Sequence, residues 1–143
     1  LPRLVGLLTV LVSSPLETFA QTPDHSLTIG EQTIRVELAL TAQEQTRGLM
    51  FRSLLPADSG MLFVYPSARI GCMWMKNTLI PLSVAFLDDK GEIINIADMK
   101  PLSRRSHCSK RPASYALEMN QGWFRKHRIA AGEKVLGLDQ IPR

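Results

Sequence analysis

No internal repeat and no low-complexity tract is present in the 143 residues, and no apolar run is long enough to span a bilayer. Charged residues make up 21% and hydrophobic ones 45%, which excludes a disordered chain, a collagen and a coiled coil. The longest apolar stretch, Leu1 to Val12, falls short of the roughly 20 residues that a membrane helix needs. Catalytic signatures are equally scarce. His25, His107 and His127 are scattered, and no H-E-x-x-H frame exists for a hydrolytic zinc. A G-x-S-x-G elbow and a P-loop are both missing. Glu118 has no second carboxylate near it in sequence, so a paired-acid glycosidase is unsupported. The two cysteines do not form a C-x-x-C pair with further ligands around it.

What is present begins with the N-terminus. Arg3, the apolar run to Val12, Ser13-Ser14-Pro15 and then Thr18-Phe19-Ala20 have the layout of a secretory signal cut after Ala20. An uncleaved anchor and a buried helix are the structural alternatives. The expected organisation is a signal over residues 1–20, a polar linker over 21–26 and one domain over 27–143. Export implies a periplasmic or secreted protein. In an oxidising compartment Cys72 and Cys108 are expected to pair as a disulfide, with a metal pair and a reactive thiol as the alternatives. The net charge is +4, and Lys100, Arg104, Arg105, Lys110 and Arg111 share one segment without an acid. Such a face suits anionic glycans, phospholipid head groups or an acidic protein, and the bland reading is a solvated loop. Export argues against nucleic acid, and no stable membrane insertion is expected once the signal is removed.

The folded part reads as many short strands. Leu27–Ile29 is followed by a turn at Gly30-Glu31 and by Thr33–Leu38, whose polar–apolar alternation marks a half-buried strand. Thr41-Ala42-Gln43-Glu44 is a capping box that opens a short helix over Ala42–Leu49. Gly60–Tyr65 reads as a strand stopped by Pro66, and Ile70–Met75 as another. Asp88-Asp89-Lys90-Gly91 joins Leu82–Leu87 to Glu92–Ala97 as a hairpin. After the basic loop Lys100–Pro112 come a strand over Ser114–Met119, a helical turn near Trp123–His127 and a last strand over Lys134–Leu138. The fold expected is mainly β: a compact sandwich or small barrel of short antiparallel strands with one short helix.

Several blocks carry a resemblance. They are Gly48-Leu49-Met50-Phe51-Arg52, Gly60 to Pro66, Trp74 to Leu82, Asp89-Lys90-Gly91, Pro112 to Glu118, and Gly122. In this order and combination they resemble the family called domain of unknown function 192. The resemblance implies a compact β-sandwich-like domain with a short helix, exported in many bacteria, and it implies no reaction. Ser83 departs from the Asp common there, Met73 stands where an aromatic is frequent, and the pair Cys72 and Cys108 is not general in the family.

The densest block, Gly71 to Phe86, sets polar groups among large apolar ones. Lys76 beside Trp74 and Met75 is a candidate base or nucleophile if desolvated, and otherwise an ion-pair partner of Glu118. Asn77 and Thr78 are candidate ligand-orienting groups, and ordinary turn residues otherwise. The expected binding set is Met61, Trp74, Lys76, Asn77, Thr78 and Glu118 around one concave surface. Its expected ligand is small and polar, a carbohydrate or a peptide-like group stacked on Trp74. No cofactor and no metal are expected. The alternative is an enzyme using Lys76 and Glu118 for proton transfer. A weaker one is copper handling through the thioethers of Met61, Met73, Met75, Met99 and Met119. The sequence alone assigns no reaction.

Overall fold

The computed structural model describes residues 24–143, so the expected signal over 1–20 lies outside the described residues. The chain is mainly β, as expected: a seven-stranded sheet curls into a half-barrel beside a short helix. β1 (His25–Ile29) begins two residues before the strand read from sequence and turns at Gly30 into β2 (Gln32–Ala39). α1 (Ala42–Arg47) leads to β3 (Ser59–Arg69). A two-stranded ribbon, β4 (Cys72–Met73) with β7 (His107–Cys108), stands apart from the main sheet. β5 (Leu82–Leu87), β6 (Ile93–Met99) and β8 (Ala113–Asn120) complete one half of that sheet. α2 (Trp123–Lys126) and β9 (Val135–Leu136) follow, and the strand order is β6-β5-β8-β3-β2-β1-β9.

One pairing departs from the antiparallel expectation. β2 and β3 are parallel, with Arg35 opposite Ser59 and Ala39 opposite Phe63. Parallel neighbours cannot be joined by a tight turn; the chain must travel back along the sheet before the second strand begins. Residues 40–58, including α1, make that return. They lie over one face of the sheet, which becomes important below. β3 also runs past Pro66 instead of stopping there. Its pairing with β8 slips between Val64 and Arg69, and its pairing with β2 ends at Phe63. The proline therefore sits where no ladder bond needs its missing N–H. The strand expected over Ile70–Met75 shrinks to Cys72–Met73, because only the two residues of β7 face it.

Strands in mid-sheet are buried on both sides, and the alternation of side chains divides them between two cores. The first core holds Leu27, Ile34, Val36, Leu62, Leu117 and Met119, closed by Trp123 and Phe124 of α2. The second holds Met61, Phe63, Val84, Phe86, Met75 and Met99 under the return segment. Gly60 allows the close approach of β3 to β8: a Cβ there would sit 2.3 Å from the Glu118 carbonyl oxygen. Cys72 and Cys108 face each other across the ribbon and form a disulfide. Closing a 36-residue separation is worth about 3–4 kcal/mol in the chain-entropy account.

Candidate functional site

Glu118 is the chemical exception in this interior. On β8 the first core receives Tyr115, Leu117 and Met119, and the second receives Ala116. By alternation Glu118 falls on the second side. Met61 on β3 and Val84 on β5 stand directly opposite it. The residue is 3% exposed. Its carboxyl has no hydrogen-bond or ion-pair partner among the described residues, and burial alone pushes it up to about 8. No fully enclosed side-chain N or O atom among the described residues lacks a partner. The unpartnered Glu118 oxygens therefore open on a space.

That space is a cavity of about 90 Å³. Its roof is the return segment from Gln45 to Met50, Arg47 included; its other walls are Phe63, Cys72, Met73, Trp74 and Thr78. Local chemistry sets each wall. The capping box holds the start of α1: the Thr41 hydroxyl accepts from the Glu44 N–H at 3.1 Å, and the Glu44 carboxylate accepts from the Thr41 N–H at 2.9 Å. The Gln45 amide then pins the helix to the sheet, donating to the carbonyls of Ala39 (3.1 Å) and Val64 (2.7 Å). Gly48 ends the helix at a φ of 46°, and a Cβ there would come within 3.2 Å of the Phe63 ring. The disulfide fixes the opposite wall. Thr78 is buried and donates its hydroxyl to the Lys76 carbonyl at 3.1 Å.

The residues grouped from sequence take different places. Trp74, Thr78 and Glu118 line the cavity, and Met61 is buried opposite Glu118. Lys76 is outside the lining. Its ammonium lies 5.4 Å from the centre of the Trp74 ring, a cation–π arrangement, and it forms no ion pair with Glu118. Asn77 adopts a left-handed φ of 54° and its carbonyl accepts from the Phe51 N–H at 2.9 Å. It shapes a loop and does not line the cavity. Gln45, Thr46, Gly48, Met50 and Phe63 were not anticipated. The capping box announces the helix but carries no signal for what the helix covers.

Three larger hollows surround this one. The nearest, of about 360 Å³, shares Gln45, Thr46, Phe63, Cys72 and Met73 with the Glu118 cavity and extends it towards Tyr65 and Arg69. The Arg69 guanidinium lies 4.4 Å over the Tyr65 ring. A hollow of about 470 Å³ on the other side is bordered by Ser83, Asp98 and Arg125. Its polar groups already satisfy one another: Ser83 donates to Asp98 at 2.6 Å and accepts from the Gly122 N–H, while Arg125 pairs with Asp98 at 2.9 Å. The Ser83 departure therefore bears on that hollow and not on Glu118. The third, of about 480 Å³, lies beside the chain's end between Asp89 and Arg143. Neither of these two has a buried group awaiting a partner.

Residues 25–137 match the profile of domain of unknown function 192 (DUF192), described as an uncharacterised ACR. The chain belongs to the DUF192 family. No curated protein matches it. Among solved structures, a protein of unknown function from Novosphingobium aromaticivorans DSM 12444 is similar, with 28% identity and a TM-score of 0.79. That match covers 92% of this chain and 100% of the other. A protein from Sinorhizobium meliloti 1021, described as a candidate transcription regulator, is 33% identical with a TM-score of 0.74. It covers 78% of this DUF192 chain and 90% of its own.

Proposed function

We propose that this DUF192 protein is an exported binding module that admits a small polar group of its ligand to Glu118. The observation that carries the reading is the buried, unpartnered carboxyl at the end of a narrow opening. Leaving such a group unsatisfied costs about 1–3 kcal/mol, and a ligand group that pairs with it recovers that cost. With its titration raised to about 8, the carboxyl is protonated near neutral pH, so it donates through O–H and accepts through C=O. Those two bonds match a neutral hydroxyl or amide better than an ion. Trp74, half-exposed at the rim, offers a face for a sugar ring or a planar amide. The adjoining hollow has room for the remainder of a carbohydrate or peptide-like ligand. A periplasmic or secreted location accords with the disulfide. α1 and α2, of six and four residues, are too short for a groove-reading helix, so the described residues offer no recognition helix for the regulator role that the S. meliloti protein's description suggests.

Ligand-observed NMR with a panel of mono- and disaccharides and N-acetylated amino-acid amides tests the reading. A binder should lose at least tenfold in affinity in Glu118→Leu, which can neither donate nor accept, and in Trp74→Ala, and should emerge chemically unchanged. A panel without binders, or binders indifferent to both substitutions, overturns it.

The raised titration supports a second reading. A carboxylic acid that stays protonated near neutral pH is also a general acid. That enzyme would work through Glu118 without Lys76, which lies outside the cavity lining. Turnover of a panel member, abolished in Glu118→Gln, selects it. The copper alternative draws less support: Met61, Met75 and Met99 lie in the second core and Met119 in the first.

A further inference from the structure

Three loops meet beside the mouth of the Glu118 cavity: residues 48–56, 71–81 and 100–112. Backbone hydrogen bonds stitch them together. Phe51 N–H donates to the Asn77 carbonyl (2.9 Å), Leu102 N–H to the Thr78 carbonyl (3.0 Å) and Met75 N–H to the Ser103 carbonyl (2.9 Å). Each loop exposes large apolar side chains: Phe51 is 68% exposed, Trp74 44%, Leu79 52% and Leu102 60%. Phe51 and Leu102 also hold left-handed φ angles of 66° and 64°, which bulky residues adopt only when their surroundings impose it. The fold thus spends conformational freedom to keep apolar side chains in water, the opposite of what burial would favour.

Charge separates this surface from an ordinary apolar patch. None of the three loops contains Asp or Glu. Arg52 is tied to Glu37, and Arg111 to Asp88 and Glu92. Lys76, Lys100, Arg104 and Arg105 have no ion pair among the described residues. Rings and aliphatic side chains interleaved with free cations are the chemistry of an anionic lipid interface: the apolar groups enter the head-group layer and the cations meet the phosphates. A second copy of the chain fits poorly, since a two-fold contact would set these cations against themselves. No helix among the described residues is long and apolar enough to cross a membrane.

We infer that the loop surface bearing Phe51, Trp74, Leu79 and Leu102 docks this protein on an anionic phospholipid bilayer. Trp74 is shared with the rim of the Glu118 cavity, whereas Phe51, Leu79, Leu102 and the unpaired cations are not, so the docking does not require a ligand on Glu118.

Trp74 is its own reporter, because the only other Trp is Trp123, which is buried and donates its indole N–H to Asp58. The full chain is mixed with vesicles of phosphatidylglycerol and phosphatidylcholine brominated near the carbonyl end of its acyl chains, whose bromines quench a tryptophan that enters the bilayer interface. Trp74→Phe supplies the Trp123 background, so a chain held by its N-terminal apolar run alone gives no Trp74 quenching. Wild type should be quenched, and high salt should weaken the effect. Lys100→Glu with Arg104→Glu should lower partitioning at least about thirtyfold, on the scale of surface charge contributions. Phe51→Asn with Leu102→Asn should lower it about tenfold while leaving thermal unfolding intact, because Asn tolerates the left-handed backbone. Trp74 emission indifferent to brominated lipid overturns the inference, as does equal quenching in neutral vesicles or after charge reversal. Binding to polyglutamate without binding to vesicles assigns the surface to an acidic protein instead. A dimer that forms without lipid and is lost in Phe51→Asn assigns it to a second copy.

Discussion

The two cores sit on opposite faces of the same strands and solve burial differently. The first is covered from α2 by Trp123 and Phe124, whose rings meet edge-on at 5.3 Å, and its polar atoms are partnered: the Trp123 indole N–H donates to Asp58 and the Tyr115 hydroxyl accepts from Arg143. The second is smaller, is roofed by the return segment with α1 and admits one carboxyl. The one-turn helix α2 covers the first with Trp123 and Phe124; the second is covered by a crossover, α1 included, whose path is set by having to return along the sheet. The larger apolar cluster lies on the first face and the unsatisfied carboxyl on the second. Polar groups that break a core rule and find no partner are where function is to be sought.

Breaking the closed face should have the largest effect. Leu117→Ala, at a fully buried first-core position, should lower stability by about 4 kcal/mol in urea unfolding. It should leave the titration of Glu118 close to its wild-type value, since the two side chains point to opposite faces. A shift of that titration would mean that the cores are coupled rather than separate.

Glu118→Gln sharpens the contrast in the other direction. The folded carboxyl titrates at about 8, above its unfolded value. At low pH it is protonated in both states, and its neutral form carries no penalty of ionisation. As pH rises through the unfolded value, the unfolded chain releases a proton that the folded chain retains, so wild-type stability falls until pH passes the folded value. The slope is about 1.4 kcal/mol per pH unit for one proton. The Gln variant has no such slope. It should exceed wild type by about 3 kcal/mol at neutral pH and match it in acid. Parallel curves for the two proteins would show that Glu118 ionises normally and that the cavity is wetter than its walls imply.

The smallest effect tests the roof. Thr41→Ala removes the hydroxyl of the capping box and should cost about 1 kcal/mol. Hydrogen exchange should quicken over α1 and the segment to Met50, with the first-core strands unaffected. Uniform quickening would mean that the return segment belongs to the same cooperative unit as the closed core.

The parts of the fold that were legible in advance have short-range causes. The alternation of Thr33–Leu38, the Asp88–Gly91 hairpin and the capping box each depend on residues within a few positions. The hairpin forms as read, with the Asp88 carboxylate accepting from the N–H groups of Lys90 and Glu92. The errors have long-range causes. Pro66 did not end β3, because by then the strand had outrun its neighbour β2. The parallel pairing of β2 with β3 has no local signature at all. The candidate site divides along the same line. Trp74, Thr78 and Glu118 were singled out as polar or aromatic groups in apolar blocks, and they meet at one cavity. Lys76 was assigned to Glu118 from its charge, yet it rests on its own neighbour Trp74.

By itself, then, the sequence determined a β-rich chain of the DUF192 family, its short helix with a defined start, and a carboxyl embedded in an apolar strand. Periodicity, caps and turn residues act over a few positions, and a linear reading contains them. Only the tertiary structure decided that Glu118 would have no partner. That outcome depends on three segments far apart in the chain: the return from β2 to β3, the disulfide ribbon, and β8 held between β3 and β5. Where they close over the same face, the space left between them is set by the path of the backbone, which no residue pattern along the chain encodes.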